Sequence, residues 1–473
     1  MTQAGPRIGI SGGVRRTAHC ALLLLTAWSF ASRADDLDAY LQRQRAVYEI
    51  PGMVVGVYRH GDLVDSRAIG LANVELNVPA TTQQVFEIGS ISKQFTAYGI
   101  LMLVDQGQLQ LDAPVGRYLT DLPRSWAKPT LHQLLGHISG LPDLEESFGY
   151  DVYRETPTDD EFQLRLLKLP IQQKPGRKWS YSNTNYWLLA RIIEKTSGQT
   201  YAQFMHERIF APLGMQHTRT ALPRQILLGR AAGYRLVDGR LENRDAIQSN
   251  TGRGLGDIVT TVADMALWEQ EQRTPRLVKS TTARLAHVPV KLDDGSTTDY
   301  GYGWFTNPEA GQTALGHSGQ TAGFVADYVR FPDRDLAIVV FANRYGAPTR
   351  AVAIARLVEP AISGPPLLAA DSANRERLER VREVLAGAAR AQTEWQQGWF
   401  GRDFWTQIES ALPQIAATYG RRGSLQTVTA VGPNGVQDDA RPAYRAVFEN
   451  ITRVIVVEFD GQNRITALTG EDE

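Results

Sequence analysis

The sequence predicts a mixed α/β chain of the α+β kind. One antiparallel sheet is completed by both ends of a large domain, a helical lobe lies beside it, and a small α+β module follows. Three observations predict this. Strand-like runs stand at 53–59 and 63–71, and again at 324–331 and 336–343, with helical patterns between them. The two late runs flank Pro332-Asp333-Arg334-Asp335, a turn that makes them an antiparallel pair. Ser363-Gly364-Pro365-Pro366 reads as a linker, and two helical stretches with four alternating runs lie beyond it. The expected division is an export signal at 1–34, a main domain at 35–362, a linker at 363–370 and a module at 371–473.

In chain order, 36–48 reads as a helix ended by Pro51-Gly52, and His60-Gly61-Asp62 turns the first strand into the second. A polar loop containing Pro79 leads to a helix that opens at Ser90 and ends near Gly107. Pro114, Pro123 and Pro129 punctuate the next stretch of chain. Helices are expected at 161–169, 186–195, 201–209 and 261–271, the second closed by Ser197-Gly198. Tyr300-Gly301-Tyr302-Gly303-Trp304 is expected to begin the late strands. In the module, helices are expected at 375–388 and 404–419 and strands at 424–431, 443–448, 453–459 and 464–468. The module holds no histidine and no acid–base set, so it reads as a packing or substrate-contact element.

A chain of 473 residues with 43% hydrophobic content can bury a large core. A formal net charge of −1 with scattered Arg and Glu excludes a global field directed at nucleic acid or an anionic membrane. Arg7, Arg15 and Arg16 precede an apolar run at 18–30, and Ser32-Arg33-Ala34 offers a cleavage point near Ala34. That run is short for a bilayer span, so the mature chain is expected to be periplasmic or secreted without a transmembrane segment. Ordinary secretion is favoured over the twin-arginine route, because Thr17-Ala18-His19 continues the pair poorly. The single cysteine, Cys20, sits inside the signal, which leaves the mature chain without a thiol nucleophile, disulfide or thiolate metal site.

The chemistry concentrates at Gly89-Ser90-Ile91-Ser92-Lys93. A serine hydroxyl needs a base, and a lysine becomes one only where a dry site lowers its pKa. Three residues apart on a helix, Ser90 and Lys93 share a face, and a helix start supplies free N–H groups for an oxyanion. With 8 Lys against 42 Arg, such pairs are scarce. The other one, Ser125 and Lys128, lies between Pro123 and Pro129, where no helix can run on. His132 and His137 point to different faces of a helix, so no metal is assigned and no cofactor is expected. Gly252-Arg253-Gly254-Leu255-Gly256-Asp257 lacks a preceding strand and a phosphate-gripping Lys, which makes a nucleotide reading weak.

Ser90-Ile91-Ser92-Lys93, Tyr181-Ser182-Asn183 and His317-Ser318-Gly319, in that order, resemble the active-site motifs of the serine β-lactamase and penicillin-binding-protein superfamily, in its class C branch. The stretches Leu134-Leu135-Gly136-His137-Ile138-Ser139-Gly140-Leu141 and Pro212-Leu213-Gly214-Met215 resemble its framework, so the likeness spans about residues 37–360. The resemblance implies a β-lactamase/transpeptidase-like fold and an acyl-enzyme on Ser90. Lys93 and Tyr181 would share the base and acid duties, their order left open. Asn183 would orient Lys93 and the acyl group, with His317, Ser318 and Gly319 on the substrate. The N–H groups of Ser90 and of Gln320, on the strand after the third motif, would form the oxyanion hole. His317 stands where β-lactamases and D,D-peptidases carry a lysine. The expectation is therefore an esterase or D-aminopeptidase-type hydrolase acting on a small molecule or short peptide. A β-lactamase or D,D-carboxypeptidase is the alternative, and a non-catalytic penicillin or muropeptide sensor comes third. Nothing in the sequence sets an oligomeric state.

Overall fold

The computed structural model describes residues 36–221, 225–244, 249–309, 311–363, 367–370, 374–392, 397–433, 438 and 440–472. The expected export signal, with Cys20 and Ala34, lies outside the described residues. The principal sheet contains β1 (Gly52–Arg59), β2 (Asp62–Asn73), β3 (Leu315–Gln320), β4 (Val325–Phe331) and β5 (Leu336–Ala342). The spatial order runs from the short pairing at Val78–Pro79 through β2, β1, β5 and β4 to β3, antiparallel throughout. Strands from residues 52–79 and 315–342, far apart in the chain, thus complete one sheet. Its central register pairs Met53 with Ala342 and Arg59 with Leu336. Both strands are continuous apolar runs because both faces of the sheet are covered.

Alternate residues of β1 divide between two cores. Val54 faces inward with Phe86, Ile91, Phe95, Trp187 and Trp268, where the helical lobe packs. Val55 and Val57 face outward with Leu37 and Tyr40 of α1 (36–47), and with Leu385, Tyr444 and Ile455 from the carboxyl-terminal region. The lobe's two central helices are α2 (Ser92–Asp105) and α3 (Asn183–Ser197), the latter closed by Gly198 in the left-handed conformation.

The carboxyl-terminal region is a five-stranded antiparallel meander with helices Arg375–Ala389, Arg402–Ile408 and Leu412–Gly420. It is pinned to α1 and the turn after it by a buried polar cluster. The Tyr48 hydroxyl donates to Asp472 at 2.6 Å and accepts from Arg422 and Arg453 at 3.0 Å. Arg453 also pairs with Asp472 at 2.8 Å.

The structure corrects several expected elements. The 404–419 helix breaks at the turn Glu409–Ala411, ahead of Pro413 in the next helix. The expected linker contributes the strand Leu367–Ala369. The 201–209 helix ends at Met205 and widens into a π-turn, His206–Phe210. Residues 300–304 are not a strand: the left-handed Gly303 turns the chain so tightly that a Cβ there would lie 2.8 Å from the Lys93 carbonyl oxygen. The second helix starts at Asn183, three residues earlier than expected.

Candidate active site

The nucleophile candidate lies in a 3-10 turn, Gly89–Ile91, that feeds α2, rather than in the α-helix itself. Two glycines let this turn lie flush on β3. A Cβ at Gly89 would come within 2.5 Å of the Gln320 nitrogen, and one at Gly319 within 1.9 Å of the Ile88 carbonyl oxygen. The Thr321 N–H donates to Phe324 at 2.9 Å across the β3–β4 turn. Alternation of the antiparallel ladder therefore turns the Gln320 N–H toward the open edge of β3, where the Ser90 turn sits. The Gln320 nitrogen thus lies against Gly89, and the Ser90 nitrogen lies against Gly319, where a Cβ would come within 2.9 Å of it.

Lys93 is fully buried one turn on. Its Nζ lies 2.9 Å from Ser90 Oγ, 2.8 Å from Asn183 Oδ1 and 2.8 Å from the Leu255 carbonyl oxygen. Burial brings its pKa down to about 7, against a smaller upward pull from Asp143 and Glu145. A neutral amine has two N–H groups and one lone pair. The two pure acceptors, Asn183 Oδ1 and the Leu255 carbonyl, take the N–H groups, which leaves the lone pair for the Ser90 hydroxyl proton. Tyr181 hydrogen-bonds Ser90, and its ring centroid lies 4.9 Å from Nζ. Burial raises its pKa well above 10, the Ser90 hydrogen bond opposing the rise, so the group is a phenol at neutral pH.

Two imidazoles flank the amine and are held neutral. His317 Nδ1 faces the Ser318 carbonyl oxygen at 2.5 Å, so it carries the proton, and Nε2 accepts from the Tyr300 hydroxyl at 3.0 Å. Burial and the nearby Lys93 lower its pKa to about 3. His137 Nδ1 accepts from the Ser182 N–H at 3.1 Å, and burial, Lys93 and His317 push its pKa well below the usual range. The third motif therefore carries no cation.

Every expected site residue converges here except the Ser318 hydroxyl. His317 and Gly319 are buried toward the site, whereas Ser318 and Gln320 point their side chains to the other face of β3. Gln320 belongs to the motif's own strand, and its side chain is held by the Gly346 N–H at 3.2 Å. Asp143 and Glu145 join the site without any signal in the sequence. Asp143 Oδ1 accepts from the Asn183 N–H at 2.5 Å, and Glu145 Oε2 accepts from Tyr153 at 3.0 Å and from Asn183 Nδ2 at 3.4 Å. Leu255 also escapes sequence reasoning, although its glycine-rich run is conspicuous. Gly254 there is left-handed, and a Cβ would meet Ala190 at 2.6 Å. The glycines serve close packing on α3 and deliver a carbonyl, not a phosphate cradle.

A serine, a buried amine of lowered pKa and a phenol are thus brought together, the set of groups that serine acyl transfer can use. The chain belongs to the beta-lactamase family, whose model matches residues 37–361, and it is a serine hydrolase of the β-lactamase and penicillin-binding-protein superfamily. It is 31% identical over 323 residues to penicillin-binding protein 4* of Bacillus subtilis (strain 168), covering 65% of this chain and 71% of that protein. It is 28% identical over 345 residues to a D-aminopeptidase of Gluconobacter oxydans (strain 621H), covering 71% of this chain and 63% of that relative's length. In fold it is similar to an octameric penicillin-binding protein homologue from Pyrococcus abyssi, with a TM-score of 0.63 and 22% identity over 92% of this chain and 95% of that one.

Proposed function

We propose that this chain is an exported hydrolase that cleaves an amide or ester bond through an acyl-enzyme on Ser90, with a D-aminoacyl amide or short D-amino-acid peptide as its substrate. The observation that carries the chemistry is the hydrogen-bond arithmetic at Lys93, whose lone pair is left for Ser90 at 2.9 Å. As Oγ bonds to the carbonyl carbon, its proton passes to Nζ, and the N–H groups of Ser90 and Gln320 hold the oxyanion. On collapse, the C–N or C–O bond breaks and the leaving group takes a proton through Tyr181, with Lys93 replenishing the phenol. Water then attacks the acyl carbon by the reverse route. A pKa of about 7 against a strongly raised phenol favours Lys93 as the base and Tyr181 as the proton carrier.

The substrate reading rests on charge. A neutral His317 offers nothing to a substrate carboxylate, which argues against β-lactam turnover and D,D-carboxypeptidase action. Beyond Asn183 the site presents Asp143 and Glu145, carboxylates suited to a free ammonium on the acyl group. The D-aminopeptidase relative agrees with that chemistry. Export rests on the charged and apolar pattern of residues 1–34, and residues 371–473 are assigned no part in the bond-breaking steps. Ser90→Ala is expected to abolish fluorophosphonate labelling and turnover of p-nitrophenyl acetate and D-alanine p-nitroanilide; residual wild-type rates would defeat the assignment. Nitrocefin hydrolysis as fast as anilide hydrolysis would restore the β-lactamase reading.

A further inference from the structure

Beyond Asn183 on the lobe side and Gln320 on the sheet side, two aromatic segments meet. On the lobe side, Leu144–Phe148 is succeeded by the turn Tyr150–Arg154, which carries Tyr150 and Tyr153 edge to face at 5.2 Å. On the sheet side, the chain leaving β5 places Tyr345 next to Gly346, whose N–H holds the Gln320 side chain. The Tyr150 and Tyr345 rings touch edge to face, with centroids 5.4 Å apart. Arg244 adds a second tie, donating to the Ala322 carbonyl oxygen at 3.2 Å while standing 3.9 Å from Asp151. Glu145 lies just inside this contact, close enough for its charge to act on Tyr150.

We infer that Tyr150 and Tyr345 form a bar across the acyl end of the cleft and are specificity-determining residues, limiting the acyl portion of the substrate to a single residue. This rests on Ser90 forming an acyl-enzyme. On this inference, an acyl group bound to Ser90 and lying between Asn183 and Gln320 meets the bar after one residue. A group extended through its amine would have to pass between the two rings and would also strip Glu145 of its cation. The hydrolase therefore takes one residue at a time from the end of a peptide or amide.

The test compares wild type, Tyr345→Phe, Tyr345→Ala and the Tyr150→Ala/Tyr345→Ala double variant on D-alanine p-nitroanilide and its N-glycyl and N-acetyl derivatives. Rates are normalised to Ser90 labelled by fluorophosphonate. The double alanine variant is expected to gain at least about tenfold in kcat/KM on the N-extended anilides and to stay within about threefold on D-alanine p-nitroanilide, with Tyr345→Phe behaving as wild type. In parallel, p-nitrophenyl esters from acetyl to octanoyl should show a chain-length cut-off in wild type that moves to longer chains when both rings are removed. Wild-type turnover of N-extended substrates, or an unmoved cut-off in the double variant, would overturn the bar. A wild type that hydrolyses esters in this pattern but no anilide would refute the amide substrate and leave the bar standing. A wild type that Ser90 probes do not label would refute the acyl-enzyme reading itself.

Discussion

The pH dependence of acylation is the sharpest consequence of a lysine buried against one serine. On the proposed mechanism Lys93 takes the serine proton only when neutral, and its pKa stands at about 7, so activity is expected to rise with pH through that value. At pH 5 about 1% of the amine is neutral, at pH 7 about half, and at pH 8 about 90%, giving a rise of about a hundredfold from pH 5 to the plateau. Tyr181 contributes no falling limb below about pH 10, because burial raises its pKa above the ordinary phenol value. The perturbation that isolates the effect is removal of the two carboxylates that pull Lys93 upward, Asp143 more than Glu145. Glu145→Gln should move the limb to lower pH and Asp143→Asn should move it further. Asp143→Asn keeps an oxygen for the Asn183 N–H and gives up the one that caps the Glu146 N–H. The assay is kcat/KM on p-nitrophenyl acetate from pH 5 to 9, run beside the rate of fluorophosphonate labelling. A profile flat across that range, a midpoint near 10.5, or an upward displacement in either variant would refute the reasoning.

Three further outcomes are expected. Lys93 moves from 10.5 in the unfolded chain to about 7, a burden of about 5 kcal/mol that is fully present below pH 7 and fades as pH rises toward 10.5. Wild type should therefore gain on Lys93→Met by about 3.5 kcal/mol between pH 7 and 10 in urea unfolding, and a constant difference would count against it. Gly319→Ala would drive a Cβ into backbone at Ile88 and Ser90, so labelling of Ser90 should slow by about 10²-fold or more while the protein remains folded by circular dichroism. Asp472→Ala leaves Arg453 buried without its carboxylate and should cost about 3–5 kcal/mol in denaturant, with Asp472→Asn costing less.

How much of the fold and the site is legible in the sequence depends on whether a side chain or the backbone carries the information. Ser90, Lys93, Tyr181 and Asn183 are side chains in distinctive local patterns, and the structure brings all four together. The sheet is legible because β1 and β5 are apolar without interruption and β4 turns into β5 at Pro332. The third partner of Lys93 is not legible, since the Leu255 carbonyl leaves no mark on residue identity. The placement of Ser318 turns on strand alternation, which its motif neighbours do not reveal. Tyr300 looks like strand because it opens an aromatic-rich run; it keeps only a single bridge to Phe305 across the turn at Gly303, and its hydroxyl donates to His317. The ordinary pKa of histidine already implies a mostly neutral His317. The deeper reason, burial beside a second basic group, is visible only in three dimensions.

The pairing of β1 with β5 has a temporal side. Partners such as Met53 and Ala342 lie nearly three hundred residues apart, so the sheet closes only after the whole lobe has been made. On the proposed mechanism, a chain in which β3 has not docked on the Gly89–Ile91 turn lacks the Gln320 amide that would receive negative charge. On that mechanism, completion of the sheet would be the step that arms the nucleophile.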